Sequence, residues 1–128
     1  MALDKSNTNI AYRLGRMFAA YERIQCDPTG KDLNRTIRDA YFGAAMATPA
    51  SVFPRLARLN QHHMRELRRN KPGLHVLRDK LLNEIAWQID GKAPFPAIFT
   101  LLDQGRFTLG YYHQRQDFFN NPKSTQNS

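Results

Sequence analysis

Five residues between positions 55 and 69, namely Arg55, Arg58, His62, Arg65 and Arg69, recur at three- and four-residue steps. At roughly 100° per residue they fall on a helix in one stripe less than about a quarter-turn wide. From Arg55 to Lys71, with Arg68 included, the chain carries six cations and one acid, Glu66. Like charges at this spacing repel, and a solvated helix face normally mixes the two signs. A row of uncompensated guanidiniums suits phosphate, which the planar fork grips through two parallel hydrogen bonds. An ordinary basic outer face and a membrane-surface helix are the competing readings. Val52, Leu56, Leu59, Met64 and Leu67 on the other side form an apolar face of the size a bundle core needs, which argues against the membrane. A weaker version of the pattern precedes it. Arg13, Arg16 and Arg23 share a side of an earlier segment beside its apolar stripe, and Arg35 and Arg38 follow. These twelve side chains are the candidate nucleic-acid contacts, enough for two stretches of nucleic acid or for one strand and a neighbouring subunit.

Catalytic chemistry has less to stand on. His62 and His63 sit roughly 100° apart on a helix and do not converge on one metal. Helical metal sites place His at i, i+4, or at i, i+3 with a carboxylate, and neither has strong support among His62, His63, His75 and His113. His113 lies ten residues after Asp103, a separation that marks no triad or metal site. The single cysteine, Cys26, adjoins Asp27, an anion that disfavours a thiolate. With no second cysteine to pair with, it fits a reducing compartment. No glycine-rich phosphate loop, HExxH, CxxC or GxSxG occurs. No enzyme, cofactor, metal or small-molecule substrate is expected. The aromatic residues Phe107, Tyr111, Tyr112, Phe118 and Phe119 have two readings, as stacking platforms for bases or as core and subunit interface at helical spacing. Gly105 and Gly110 cost helix stability in the same stretch, which hints at close approach by another helix.

Five helical segments position these residues. In the first, Ile10, Leu14, Met17, Phe18, Tyr21 and Ile24 form a stripe that stops near Asp27-Pro28-Thr29-Gly30. The second is expected from about Leu33 to Ala47, burying Leu33, Ile37, Ala40, Tyr41 and Ala44. The third starts either with Thr48 as cap before Pro49 or with Ser51 as cap and Pro54 in the first turn, and runs to about Asn70. The fourth spans Leu74 to Ile89 with Leu74, Leu77, Leu81, Leu82, Ile85 and Ile89 on one side. Thr100 and Asp103 have capping spacing at the head of the fifth. No segment alternates at period two. The pattern predicts an all-α protein, a single compact bundle of about five helices over residues 1–118, with a polar, disordered tail at 119–128.

Composition agrees with that architecture. The chain has 128 residues, 41% of them hydrophobic, a globular balance in one domain. Nineteen Lys and Arg against eleven Asp and Glu give a net charge of +8, and thirteen of the cations are arginine. That surplus favours a polyanionic partner, and the arginine bias favours nucleic acid over other anions. MALDKSNTN at the start has no apolar region of the secretory kind, and no run approaches the roughly 20 residues that span a bilayer. A soluble, cytoplasmic protein is expected.

Three stretches together carry a resemblance: TIRDAYFGAAMATPASVFPRL (Thr36–Leu56) with the QHH that follows it (Gln61–His63), AYRLGRMFA near the start, and QGRFTLGYYHQRQ (Gln104–Gln116). From about Ala11 to Phe118 the chain resembles the C-terminal region of the large subunit of type I-C CRISPR Cascade, the RNA-guided DNA surveillance complex. In that family the region is also made as a separate small subunit by an internal translation start, and a chain opening at Met1 looks like that product. The resemblance implies an all-helical subunit without catalytic activity. It also implies partners: the Cascade backbone and large subunits, the guide RNA complex, the target DNA with its displaced non-target strand, and another copy of the chain. Guide pairing reads sequence in such complexes, while protein holds backbones and the displaced strand. The alternatives are a stand-alone helix-turn-helix DNA binder, against which Asn60, Gln61 and His62 lie mid-helix, and a purely scaffolding subunit.

Overall fold

The computed structural model of the chain describes residues 2–30, 33, 35–87 and 95–120. Among them are five helices and no strand: α1 (Ile10–Cys26), α2 (Ile37–Ala47), α3 (Pro49–Asn70), α4 (Pro72–Trp87) and α5 (Leu101–Asn120). The all-α bundle expected from periodicity is the observed fold. Its last helix reaches Asn120, and the polar residues 121–128 lie outside the described residues.

Helix α1 is the axle. It touches all four other helices, and every residue from Ala11 to Ala20 is buried. Asn9 caps it, its Oδ1 accepting from the Tyr12 amide at 3.1 Å. Its closest neighbour is α5, and two glycines permit the approach. A Cβ on Gly110 would collide with the Tyr12 carbonyl, and one on Gly15 would collide with the Phe107 carbonyl and stand 2.8 Å from the Tyr111 nitrogen. Gly110 thus meets the close helix approach expected of it. Gly105 does not, for nothing lies within 4 Å of its position.

Helix α2 begins four residues later than expected. Thr36 and Asp39 close a capping box that fixes the start at Ile37 and leaves Leu33 outside the helix, 37% exposed. The buried side is also rotated. Ala40 and Ala44 face solvent, while Ile37 and Ala45 are buried and Tyr41, Phe42 and Met46 pack against the core. Covering Phe42 and Met46 removes more apolar surface from water than covering two alanines. Of the two starts considered for α3, the Thr48–Pro49 one is observed, with Thr48 Oγ1 donating to the Ala44 carbonyl at 3.0 Å instead of capping. Helix α4 starts at Pro72, as proline fits a first turn. Ile89, expected on its apolar side, lies outside the described residues. At the head of α5, Thr100 Oγ1 accepts from the Asp103 amide at 3.2 Å, as their spacing implies.

The core is aromatic. Phe18, Phe42, Phe107 and Tyr111 meet edge to face with centroids 4.9–6.0 Å apart, and Phe53 stacks on Phe95 at 5.6 Å. Phe107, Tyr111 and Phe118 are therefore core residues, whereas Tyr112 and Phe119 are 40% and 55% exposed.

Candidate nucleic-acid interface

Helix α3 packs through Val52, Phe53, Leu56 and Leu67, all buried. That seating forces the opposite stripe outward. Arg55, Arg58, His62, Arg65, Arg68 and Arg69 are all exposed, and Lys71 is half-buried at the helix end. Leu59, expected on the apolar side, is 37% exposed, because its position lies between the core face and Arg55. Met64 is half-buried.

Charge along the row is left unbalanced. Glu66, the one acid in the stretch, is held by His62 at 2.8 Å and not by an arginine. None of Arg55, Arg58, Arg65, Arg68 or Arg69 has an acidic partner among the described residues. At about 1.5 Å rise per residue, Arg55 to Arg69 covers about 21 Å, the reach of about six phosphates of one strand in a duplex. At its far end Asn70 Nδ2 donates to the Pro28 carbonyl at 3.4 Å, which ties this end of the row to the end of α1.

The α1 arginines behave otherwise, and here the sequence reading needs correction. Arg13 and Arg16 were expected on an outer surface, yet they are 2% and 1% exposed. Reading α1 as a one-sided helix missed that the α1 axle is covered on every side. Arg13 donates from Nε to the Asn7 carbonyl (2.6 Å), from Nη2 to the Lys5 carbonyl (2.8 Å) and from Nη1 to the Glu84 carbonyl (3.3 Å). It clamps the chain entering α1 onto α4. Arg16 Nε donates to Gln114 Oε1 at 2.9 Å, a buried contact with α5. Burial lowers the pKa of both guanidiniums from the ordinary arginine value; Asp4 opposes this at Arg13, and Arg13 adds to it at Arg16. Arg23, half-buried, pairs with Asp27 at 3.5 Å.

Of the second-helix pair, Arg35 is exposed just before α2. Arg38 is also exposed, and its guanidinium lies 5.6–5.9 Å from the centroids of Phe42, Tyr111 and Tyr112 and donates to the Tyr112 hydroxyl. One structural arginine escaped the sequence reading. Arg78 on α4 is 1% exposed, donates from Nε to Asp27 Oδ2 at 2.6 Å and lies 4.9 Å from the Phe118 centroid. Its place one residue after Leu77, beside a leucine-rich side, was the available signal.

The catalytic inventory is also dispersed. Cys26 is buried, His113 Nδ1 contacts the Tyr12 hydroxyl at 2.9 Å, and no group of three or more His, Cys, Asp or Glu among the described residues is arranged to hold a metal ion. No helix among them is long and apolar enough to cross a membrane.

Fold and interface together define an all-helical protein with a basic helix face whose arginines have no acidic partner among the described residues. The chain belongs to the family described as CRISPR-associated protein (Cas_Csd1), whose pattern matches residues 1–119. Membership makes it a protein of CRISPR defence that takes part in a Cas complex. Comparison with curated proteins gives no match.

Proposed function

We propose that the chain is the non-catalytic small subunit of the type I-C Cascade surveillance complex, working in the cytoplasm. In this reading it stabilises the complex and the opened target DNA, whether displaced strand or heteroduplex, through the outer face of α3. The observation that carries the reading is the row Arg55, Arg58, Arg65, Arg68 and Arg69, without an acidic partner among the described residues. Glu66, the only acid between Arg55 and Lys71 in sequence, is held by His62. Phosphate contacts of this kind position a strand without reading its sequence, which suits a complex whose guide RNA does the reading.

A stand-alone helix-turn-helix binder is disfavoured. Its second helix would insert its first residues into the major groove. Here the start of α3 is partly occupied: Pro49 is buried, the Ala50 amide donates to the Pro96 carbonyl at 3.1 Å, and the Phe99 amide to the Ala47 carbonyl at 3.0 Å. A scaffolding contribution has separate support in Ile98, Leu101 and Leu102, which are 75%, 85% and 64% exposed beside that covering segment. Such an apolar patch suits a protein neighbour such as a backbone subunit or another copy.

The test is reconstitution of the complex with wild-type chain, without it, and with Arg55, Arg58, Arg65 and Arg69 all changed to Ala. Omission should lower target affinity and R-loop yield while guide RNA processing persists. The quadruple variant should assemble normally and hold target DNA poorly. Equal target affinity and R-loop yield in all three preparations overturns the proposal; assembly lost only on omission, with normal binding by the variant, leaves the scaffolding role.

A further inference from the structure

A groove of about 270 Å³ lies between the last two turns of α1, the head of α2 and the end of α5. Its lining includes Glu22, Arg38, Asp39, Arg115 and Phe119. Phe119 is 55% exposed, and the Arg115 guanidinium lies 5.4 Å from its centroid. Arg38, on the groove's other side, donates to the Tyr112 hydroxyl. One exposed aromatic ring and two exposed arginines therefore share one opening.

The two carboxylates in the groove are already engaged. Glu22 accepts from the Tyr111 hydroxyl and from Thr36 Oγ1, and Asp39 Oδ2 accepts from the Thr36 amide at 2.8 Å. Glu22 braces the head of α2 and α5 against α1, Asp39 closes the α2 cap, and their charge repels a phosphate from the groove floor. A neutral planar group meets no such penalty. Arg38 and Arg115 stand at the rim, where a backbone phosphate would follow a base that enters. The groove also lies at the end of the bundle where α3 finishes, since Asn70 contacts Pro28 two residues beyond Cys26, a groove-lining residue.

From this geometry we infer that the groove binds an unstacked nucleobase of a single strand, stacked on Phe119, with Arg38 and Arg115 on the flanking phosphates. The inference rests on the reading of α3 as the face that holds the strand's backbone, and adds a site that senses bases without choosing among them. Stacking of this type tolerates every base, because each has a π-face.

The test compares fluorescent single strands of equal length and charge: oligo-dT, oligo-rU and an abasic DNA strand, titrated with the full chain at low salt. Wild type should bind the base-bearing strands at least about fivefold more tightly than the abasic one. Phe119→Ala should erase that difference and leave abasic binding unchanged. Phe119→Leu, apolar but without a π-face, should behave like Phe119→Ala, and Phe119→Trp should keep the preference. Phe119 is exposed, and circular dichroism confirms the fold of each variant. A preference for dT over rU, or the reverse, identifies the strand that uses the groove. Equal wild-type binding to base-bearing and abasic strands overturns the groove proposal and leaves the α3 reading standing. Absence of binding to all three, abasic included, overturns the α3 reading and this inference with it.

Discussion

The arginines of the interior and those of α3 are one residue type in opposite settings. Arg13, Arg16 and Arg78 are at most 2% exposed, and carbonyls, an amide oxygen and a carboxylate satisfy them. Arg55, Arg58, Arg65, Arg68 and Arg69 are exposed and have no acidic partner among the described residues. Net charge therefore overstates what is available to a partner: part of the arginine surplus holds the bundle together. Location along the helix does not separate the two groups, because both sit beside apolar stripes at helical spacing. What separates Arg13 and Arg16 from the α3 row is that α1 is covered on every side from Ala11 to Ala20, while Arg78 lies on the side of α4 that meets Asp27 and Phe118.

The sharpest way to break that comparison is to remove an interior arginine. Arg78→Ala leaves Asp27 buried with only the longer contact to Arg23. Stranding a buried charge costs about 3–5 kcal/mol, so the urea midpoint should fall steeply. Replacing both partners, Asp27→Asn with Arg78→Met, should recover most of the loss, since no bare charge then remains. A cost below about 1 kcal/mol for Arg78→Ala would mean that the interior guanidinium is no more structural than a surface one.

Next in size is the pair of glycines on α5, which divides that helix into an inner and an outer face as the arginines divide the bundle. Gly110→Ala drives a methyl into the Tyr12 carbonyl and must push α5 off α1, at about 1–3 kcal/mol. Gly105→Ala meets nothing and should stabilise by up to about 1 kcal/mol through helix propensity. Thermal melts of the two variants should move in opposite directions. Equal shifts would remove the case for a close α1–α5 contact.

Substituting Arg55, Arg58, Arg65 and Arg69 by Ala should change stability by no more than about 0.5 kcal/mol each. The effect belongs in binding. Each lost phosphate contact should flatten the plot of log K against log salt by about 0.7 for a single strand and about 0.9 for duplex. Glu66→Ala, which removes the only acid of the stretch, should not weaken binding. Unchanged affinity and salt slope in the fourfold variant would make the α3 row an ordinary solvated face.

These contrasts show what could be read in advance. Helix number, most boundaries and the outward row on α3 followed from local spacing, because a strong apolar face on one side fixes what the other side must do. Arg13 and Arg16 were misplaced because local spacing cannot tell a helix covered on one side from one covered all round. The unbroken burial from Ala11 to Ala20 is a tertiary fact set by α4 and α5, whose Glu84 and Gln114 lie more than 70 positions away from the α1 arginines they meet. The same limit hid the Asp27–Arg78 pair, 51 residues apart. The aromatic cluster was legible as a group but not as two groups, since only the approach at Gly110 decides which rings turn inward.

The smallest expected effect tests the comparison within two adjacent residues of α3. His62 is exposed and pairs with Glu66, whereas His63 is half-buried. Burial first, and the neighbouring His62 second, lower the pKa of His63 from the ordinary histidine value, with Glu66 opposing. In the unfolded chain His63 takes up its proton near pH 6.5, whereas in the folded protein it does so only at lower pH. Below about pH 7 the unfolded state therefore binds more protons, and stability falls as the pH is lowered through that window. His63→Gln removes this contribution, so urea midpoints measured from about pH 7.5 to about pH 5 should decline less steeply than in wild type. Identical slopes would show that the inner flank of α3 is as open to water as its arginine row, and the division between the two faces of that helix would fail.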